Sequence, residues 1–212
     1  EQPPRVLKVV VGPGQTSCAL LSTGELKCWG YNFNGELGAG DTESRGSDPF
    51  DMGQNLLAID AGDVTIQDVA IGGHHVCILT GDGRVKCWGA GFTGQLGSGS
   101  QHSRGDRPGH MGNNLPFVDL GHTAPVVKLV AAYYGNCALF ADDKIKCWGE
   151  NGSGQLGIGD TERRGDEPRE MGANLPCVNL GETASVQNLV AGHAHTCALF
   201  TDHRIKCWGY NA

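Results

Sequence analysis

Short runs of alternating apolar and polar residues fill this chain, and the runs recur. Residues 18–30, CALLSTGELKCWG, return at 77–89 (CILTGDGRVKCWG), 137–149 (CALFADDKIKCWG) and 197–209 (CALFTDHRIKCWG), with starts 59, 60 and 60 residues apart. A fixed period of this size marks a repeat architecture. Each copy predicts a β-hairpin, two short apolar or alternating runs joined by turn formers. With Cys18 opposite Cys28, Leu20 faces Leu26 and Ser22, Thr23 and Gly24 remain as the loop. A three-residue loop of this kind needs a left-handed residue last. Gly24 and Gly83 adopt that conformation freely, Asp143 tolerates it, and His203 is the least comfortable of the four.

The other elements follow in order. A β-branched run at 6–11 predicts a strand, matched at 64–71, 126–131 and 186–191. A glycine-bearing turn leads into each hairpin. After each Trp-Gly comes a loop, 31–40, 90–99 and 150–159, built on Gly-Glu/Gln-Leu-Gly-x-Gly around one leucine: Leu37, Leu96 or Leu156. Polar segments at 41–49, 100–108 and 160–168 lead to short strands at 57–60, 117–120 and 177–180. Each full repeat thus predicts about four short strands and no helix, which is one blade of a β-propeller. We read one domain over 1–212, with repeats at 6–63, 64–125 and 126–185 and a partial fourth at 186–212.

The hairpin register brings the two cysteines of each copy together on a non-hydrogen-bonded pair, where Cα atoms lie roughly 4.5 Å apart. Four cross-strand disulfides are expected: Cys18–Cys28, Cys77–Cys87, Cys137–Cys147 and Cys197–Cys207. Eight buried free thiols would be the plain alternative, and zinc fits less well because the spacing is not C-x₂₋₄-C. The ninth cysteine, Cys177, stands where the other repeats have Ala58 and Phe117 and is expected to be a buried small apolar residue. Paired cysteines imply an oxidising compartment, secreted, cell-surface or periplasmic, and of these an extracellular one is expected. No stretch is long and apolar enough to span a membrane. The absence of a signal peptide and the start at Glu1 suggest a mature or excised product. A net charge of −7 argues against nucleic acid and anionic membranes as partners.

The string VAGHAHTCALFTDHRIKCWGYN, together with Gly-Gln-Leu-Gly-x-Gly after Trp-Gly, resembles the RCC1 (regulator of chromosome condensation) repeat, in register over nearly the whole chain. The resemblance implies an all-β, RCC1-like propeller or open propeller arc; complete propellers of this kind commonly have seven blades. Intracellular members lack the paired cysteines, so the chain looks like a secreted, disulfide-stapled branch. Here three complete repeats and part of a fourth are present. A piece of a longer propeller, an arc completed by another copy, and a self-closed four-bladed ring all remain open.

Other candidate chemistry is sparse. His74, His75, His193 and His195 precede hairpin cysteines, but the position two before the cysteine reads Thr16, His75, Gly135, His195, so no ring of ligands forms. Backbone-bonded turn histidines are the plain reading. Arg104-Gly105-Asp106 and Arg164-Gly165-Asp166 spell an adhesion tripeptide, yet repeat 1 has Arg45-Gly46-Ser47, so the shared Arg-Gly points to a structural turn. Trp29, Trp88, Trp148 and Trp208 are expected to pack between blades. Asn151 opens an N-glycosylation sequon in a loop. No catalytic, metal or cofactor site is expected. The function expected is a non-enzymatic extracellular structural module that self-associates through open blade edges, its partners other copies of itself or the remainder of the propeller. The alternative is a recognition propeller that binds a protein or glycan through loops 90–94 and 150–154.

Overall fold

The computed structural model describes residues 3–181 and 184–211; the expected 1–212 span therefore begins and ends on residues outside those described. The described residues form four three-stranded antiparallel sheets, each in chain order. The first holds β1 (Val6–Val11), β2 (Thr16–Leu21) and β3 (Leu26–Gly30). The second holds β4 (Ile66–Ile71), β5 (His75–Thr80) and β6 (Val85–Gly89). The third holds β7 (Val126–Ala131), β8 (Gly135–Phe140) and β9 (Ile145–Gly149). The fourth holds β10 (Val186–Ala191), β11 (His195–Phe200) and β12 (Ile205–Gly209).

Within each hairpin the two cysteines face one another, as Cys18 does Cys28 and Leu20 does Leu26. All four pairs are disulfide-bonded with Cα atoms 4.1 Å apart. The tight turns use the left-handed region at Gly24, Gly83, Asp143 and His203, with φ of 86°, 78°, 65° and 68°.

The sheets stack face to face. Strand alternation divides each sheet into a disulfide face and a tryptophan face. The disulfide face of the first sheet (Cys18, Leu20, Leu26, Cys28) packs against the tryptophan face of the second (Val69, Ile71, Val76, Ile78, Trp88). The same pairing repeats between the second and third sheets and between the third and fourth. The first strands of successive sheets approach one another, so β1, β4, β7 and β10 run along the inside of the arc.

Two expectations are corrected. The segments expected as fourth strands, 57–60, 117–120 and 177–180, are not strands. Each reaches the outer strand through one backbone bond, from Ile59, Val118 or Val178 N–H to Leu26, Val85 or Ile145 O, all at 2.8 Å. Each segment is bounded by a 3-10 turn such as Gly112–Asn114 and by a left-handed glycine such as Gly121, φ 57°, and touches the outer strand only between them. Cys177 is exposed rather than buried, because its neighbours Leu175 and Val178 turn inward and leave it on the outer side of the segment. Alkylation of the native protein should therefore modify one thiol, at Cys177, and alkylation after denaturation and reduction should modify all nine. Intact-mass and peptide mapping would read both numbers.

Candidate functional site

The blade interface is built from the loop after each outer strand. Asn32 is fully buried. Its amide donates to Asp41 O at 3.1 Å and to Asp41 Oδ1 and Glu43 O, each at 3.0 Å, and its Oδ1 accepts from Leu37 N–H at 2.8 Å. This one side chain closes the loop and drives Leu37 into the core between the first two sheets. The Glu36 carbonyl is thereby presented to the next blade, where Trp88 Nε1–H donates to it at 2.9 Å. Trp148 repeats the contact on Gln95 O at 3.1 Å. The glycine after the leucine must remain glycine: Gly38 has φ +61°, and a Cβ there would lie 2.9 Å from Trp88 Nε1.

Asn151, the sequon asparagine, is the counterpart of Asn32 and is sealed in its loop. It is fully buried, and its Nδ2 donates to Asp160 O, Asp160 Oδ1 and Glu162 O at 2.9–3.0 Å. A glycan on that nitrogen would replace one of the two hydrogens shared among these three acceptors, and the buried loop leaves it no space. The sequon there reflects a loop-closing asparagine. The Arg-Gly-Asp tripeptides are likewise interface parts. Gly105 is buried with its carbonyl accepting from Gly40 N–H at 3.0 Å, and Gly165 does the same for Gly99. Buried lysines, which sequence reasoning did not single out, brace the same joints: Lys86 Nζ donates to Ala61 O and Gly112 O at 2.7 and 3.2 Å. Burial pushes its pKa down. A lysine recurring just before Cys-Trp was the available signal.

The two ends of the arc expose what the joints bury. Val9 is 56% exposed, while its counterparts Val69, Leu129 and Leu189 are at most 4%. Trp29, on the same face, is only partly covered, whereas Trp88 and Trp148 are fully buried. At the other end Ile205 is 64% exposed, while Leu26, Val85 and Ile145 are at most 1%. Val190 and Cys207 accompany it on that open disulfide face. These open surfaces are sheet faces. The outer strands β3, β6 and β9 are met by Ile59, Val118 and Val178.

The histidines separate. His195 is exposed. His75 is fully buried, with Nε2 2.9 Å from Asn136 Oδ1, and the Asn136 amide continues to Gln95 O at 2.8 Å. His74 instead sits in an aromatic cluster at one mouth of the arc. The rings of Tyr31, Tyr133 and Tyr134 lie 5.7, 5.5 and 6.1 Å from it, and Phe92 lies at 6.5 Å. Among the described residues, no three His, Cys, Asp or Glu side chains are grouped to hold a metal ion.

Burial pushes the His75 pKa down to about 4, against a smaller opposing effect of its bond to Asn136. Between pH 6.5 and that value the unfolded chain binds the proton and the folded chain does not. Stability should therefore fall on acidification through this window, by about 3 kcal/mol from this group. Thermal unfolding from pH 7 to pH 4 should show a shallower loss for His75→Gln than for the unaltered chain.

Family models described as "Regulator of chromosome condensation (RCC1) repeat" match residues 6–36, 66–95 and 142–199, together more than half of the chain. The Ultraviolet-B receptor UVR8 of Arabidopsis thaliana is 30% identical, over 98% of this chain and 42% of that protein. Human WBSCR16 superposes with TM-score 0.72 at 20% identity, covering 98% of this chain and 48% of the other. Yeast RCC1 (Prp20) superposes with TM-score 0.69 at 22% identity, covering 97% of this chain and 42% of the other. The chain spans less than half the length of each. With four sheets that superpose on RCC1 propellers and the repeat models matched in three places, the chain belongs to the RCC1 repeat family.

Proposed function

We propose that the chain is a non-catalytic extracellular structural module that works by packing RCC1-type blades face to face. Its partners are other copies of itself or further blades of a longer propeller. The observation that carries this reading is the pair of open faces: the first sheet offers a tryptophan face and the last a disulfide face. These are the two halves of every joint inside the arc. The side chains that would meet, Val9, Val11 and Trp29 against Val190, Cys207 and Ile205, are of the kinds that fill the internal joints. An apolar surface of this sort is the usual mark of an interaction site. Joined copies would make a closed ring or an open filament according to the rotation at each joint. Four disulfides support an oxidising, extracellular setting. The non-enzymatic reading rests on the polar side chains inside the arc, which are spent on loops and joints.

Light scattering and negative-stain microscopy of the native, non-reduced protein test this. The expected result is a mass of two chains or more, lowered to one chain by Ile205→Asp or Val9→Asp with hairpin disulfides retained. A monomer whose mass neither variant changes, from a chain that is the whole gene product, would sink the assembly reading.

A further inference from the structure

The aromatic cluster at the mouth of the arc is not demanded by the repeat. The position of His74 is Gln15, Tyr134 and Ala194 in the other repeats, and that of Tyr31 is Ala90, Glu150 and Tyr210. A structural device would recur, as the tryptophans do. Yet rings from all four repeats converge here. Phe33 packs at 4.7 Å on Tyr31, Phe92 at 5.8 Å on Tyr134, and Tyr133 at 4.5 Å on His193. Phe33 and Phe92 remain 67% and 41% exposed.

The charge beneath and beside the rings is mainly negative. The Glu36 carboxylate is fully buried, with Oε1 3.5 Å from His74 Nδ1. That nitrogen is buried and has no hydrogen-bond partner. On the far side, Glu150 N–H donates to Tyr134 O at 2.9 Å. Glu150 opens a shallow polar concavity that continues through Glu162, Asp166 and Glu167. The arginine lining it, Arg163, is paired with Glu150 at 2.8 Å. The negative faces of the rings and these carboxylates attract the same kind of group.

We propose that this mouth is a binding site for a basic segment of a partner polypeptide. An arginine or lysine of that segment lies over Phe33, Phe92 and the tyrosines, and its neighbouring basic residues lie along the Glu150–Glu167 concavity. The argument for a polypeptide is proximity: an aromatic platform whose Tyr134 is backbone-bonded to Glu150, at the lip of an acidic concavity, suits several linked cations better than one small ion.

Fluorescence anisotropy with labelled hexa-arginine, at 0.15 M salt and at lower salt, tests the site. Hexa-glutamate, cellohexaose and tetramethylammonium chloride serve as competitors. Binding of hexa-arginine should persist at 0.15 M salt and weaken about fivefold or more in Phe33→Ala/Phe92→Ala, since exposed cation–aromatic contacts each contribute a few-fold. Glu162→Gln/Glu167→Gln should weaken it and flatten its salt dependence. All four altered residues are surface-exposed, and an unchanged thermal midpoint confirms the fold. Unchanged affinity in the phenylalanine variant overturns the proposal. So does no binding of hexa-arginine, tighter binding of hexa-glutamate or cellohexaose, or displacement by tetramethylammonium at concentrations no higher than the peptide's own.

Discussion

A three-stranded sheet with short strands has two apolar faces and can bury neither by itself. Every blade here therefore depends on its neighbours, and the contact that organises the dependence is a disulfide face laid on a tryptophan face. Trp88 and Trp148 lie at the centre of these contacts with no exposed surface. Loss of a ring of that size from a core typically costs about 3–5 kcal/mol. The indole N–H also has to be bonded once buried, and the Glu36 and Gln95 carbonyls meet that need. A carbonyl can be in that place only if the preceding loop is closed, which is the work of Asn32 in one joint. In the next, the loop has Gly91 at the same position, where a Cβ would lie 2.2 Å from His102 O, so the backbone itself closes in.

Polar groups inside the joints follow the same logic. Lys86 and Lys146 are almost wholly buried, and each lends its ammonium to two backbone carbonyls. Buried charge is tolerable when it is bonded in this way and expensive when it is not. The disulfides act within a blade rather than between blades: each clamps the second and third strands and presents a flat apolar face to the next sheet. Stability in such an array is a sum of blade and neighbour terms, so an unfilled end face is the weakest place in it.

The mouth of the arc obeys a different rule. Its turns carry different residues in each repeat, and the side chains there meet across blades without being needed by any one blade. This separates a conserved mechanical interior from a variable surface within one chain, with the repeats themselves as the control. The same comparison explains why the Arg-Gly-Asp and Asn-Gly-Ser strings carry no surface chemistry: their glycine and asparagine recur as parts of the joint.

By itself the sequence determined the repeat, the hairpin register and the cysteine pairing, because these are local. A ten-residue spacing across a three-residue loop leaves one way to face Cys18 with Cys28, and the period repeats the answer. It also determined that the tryptophans and loop leucines belong to the interior. Only the tertiary structure decided which apolar residues lack a partner, since Val9 and Val69, or Ile145 and Ile205, are alike as residues and differ only in having a neighbouring sheet. It decided that Cys177 faces outward and that Asn151 is sealed in its loop, since burial depends on how a segment turns. And it decided that His74 and Tyr134 lie together, because residues 60 positions apart in the chain become neighbours only when blades are stacked around an axis.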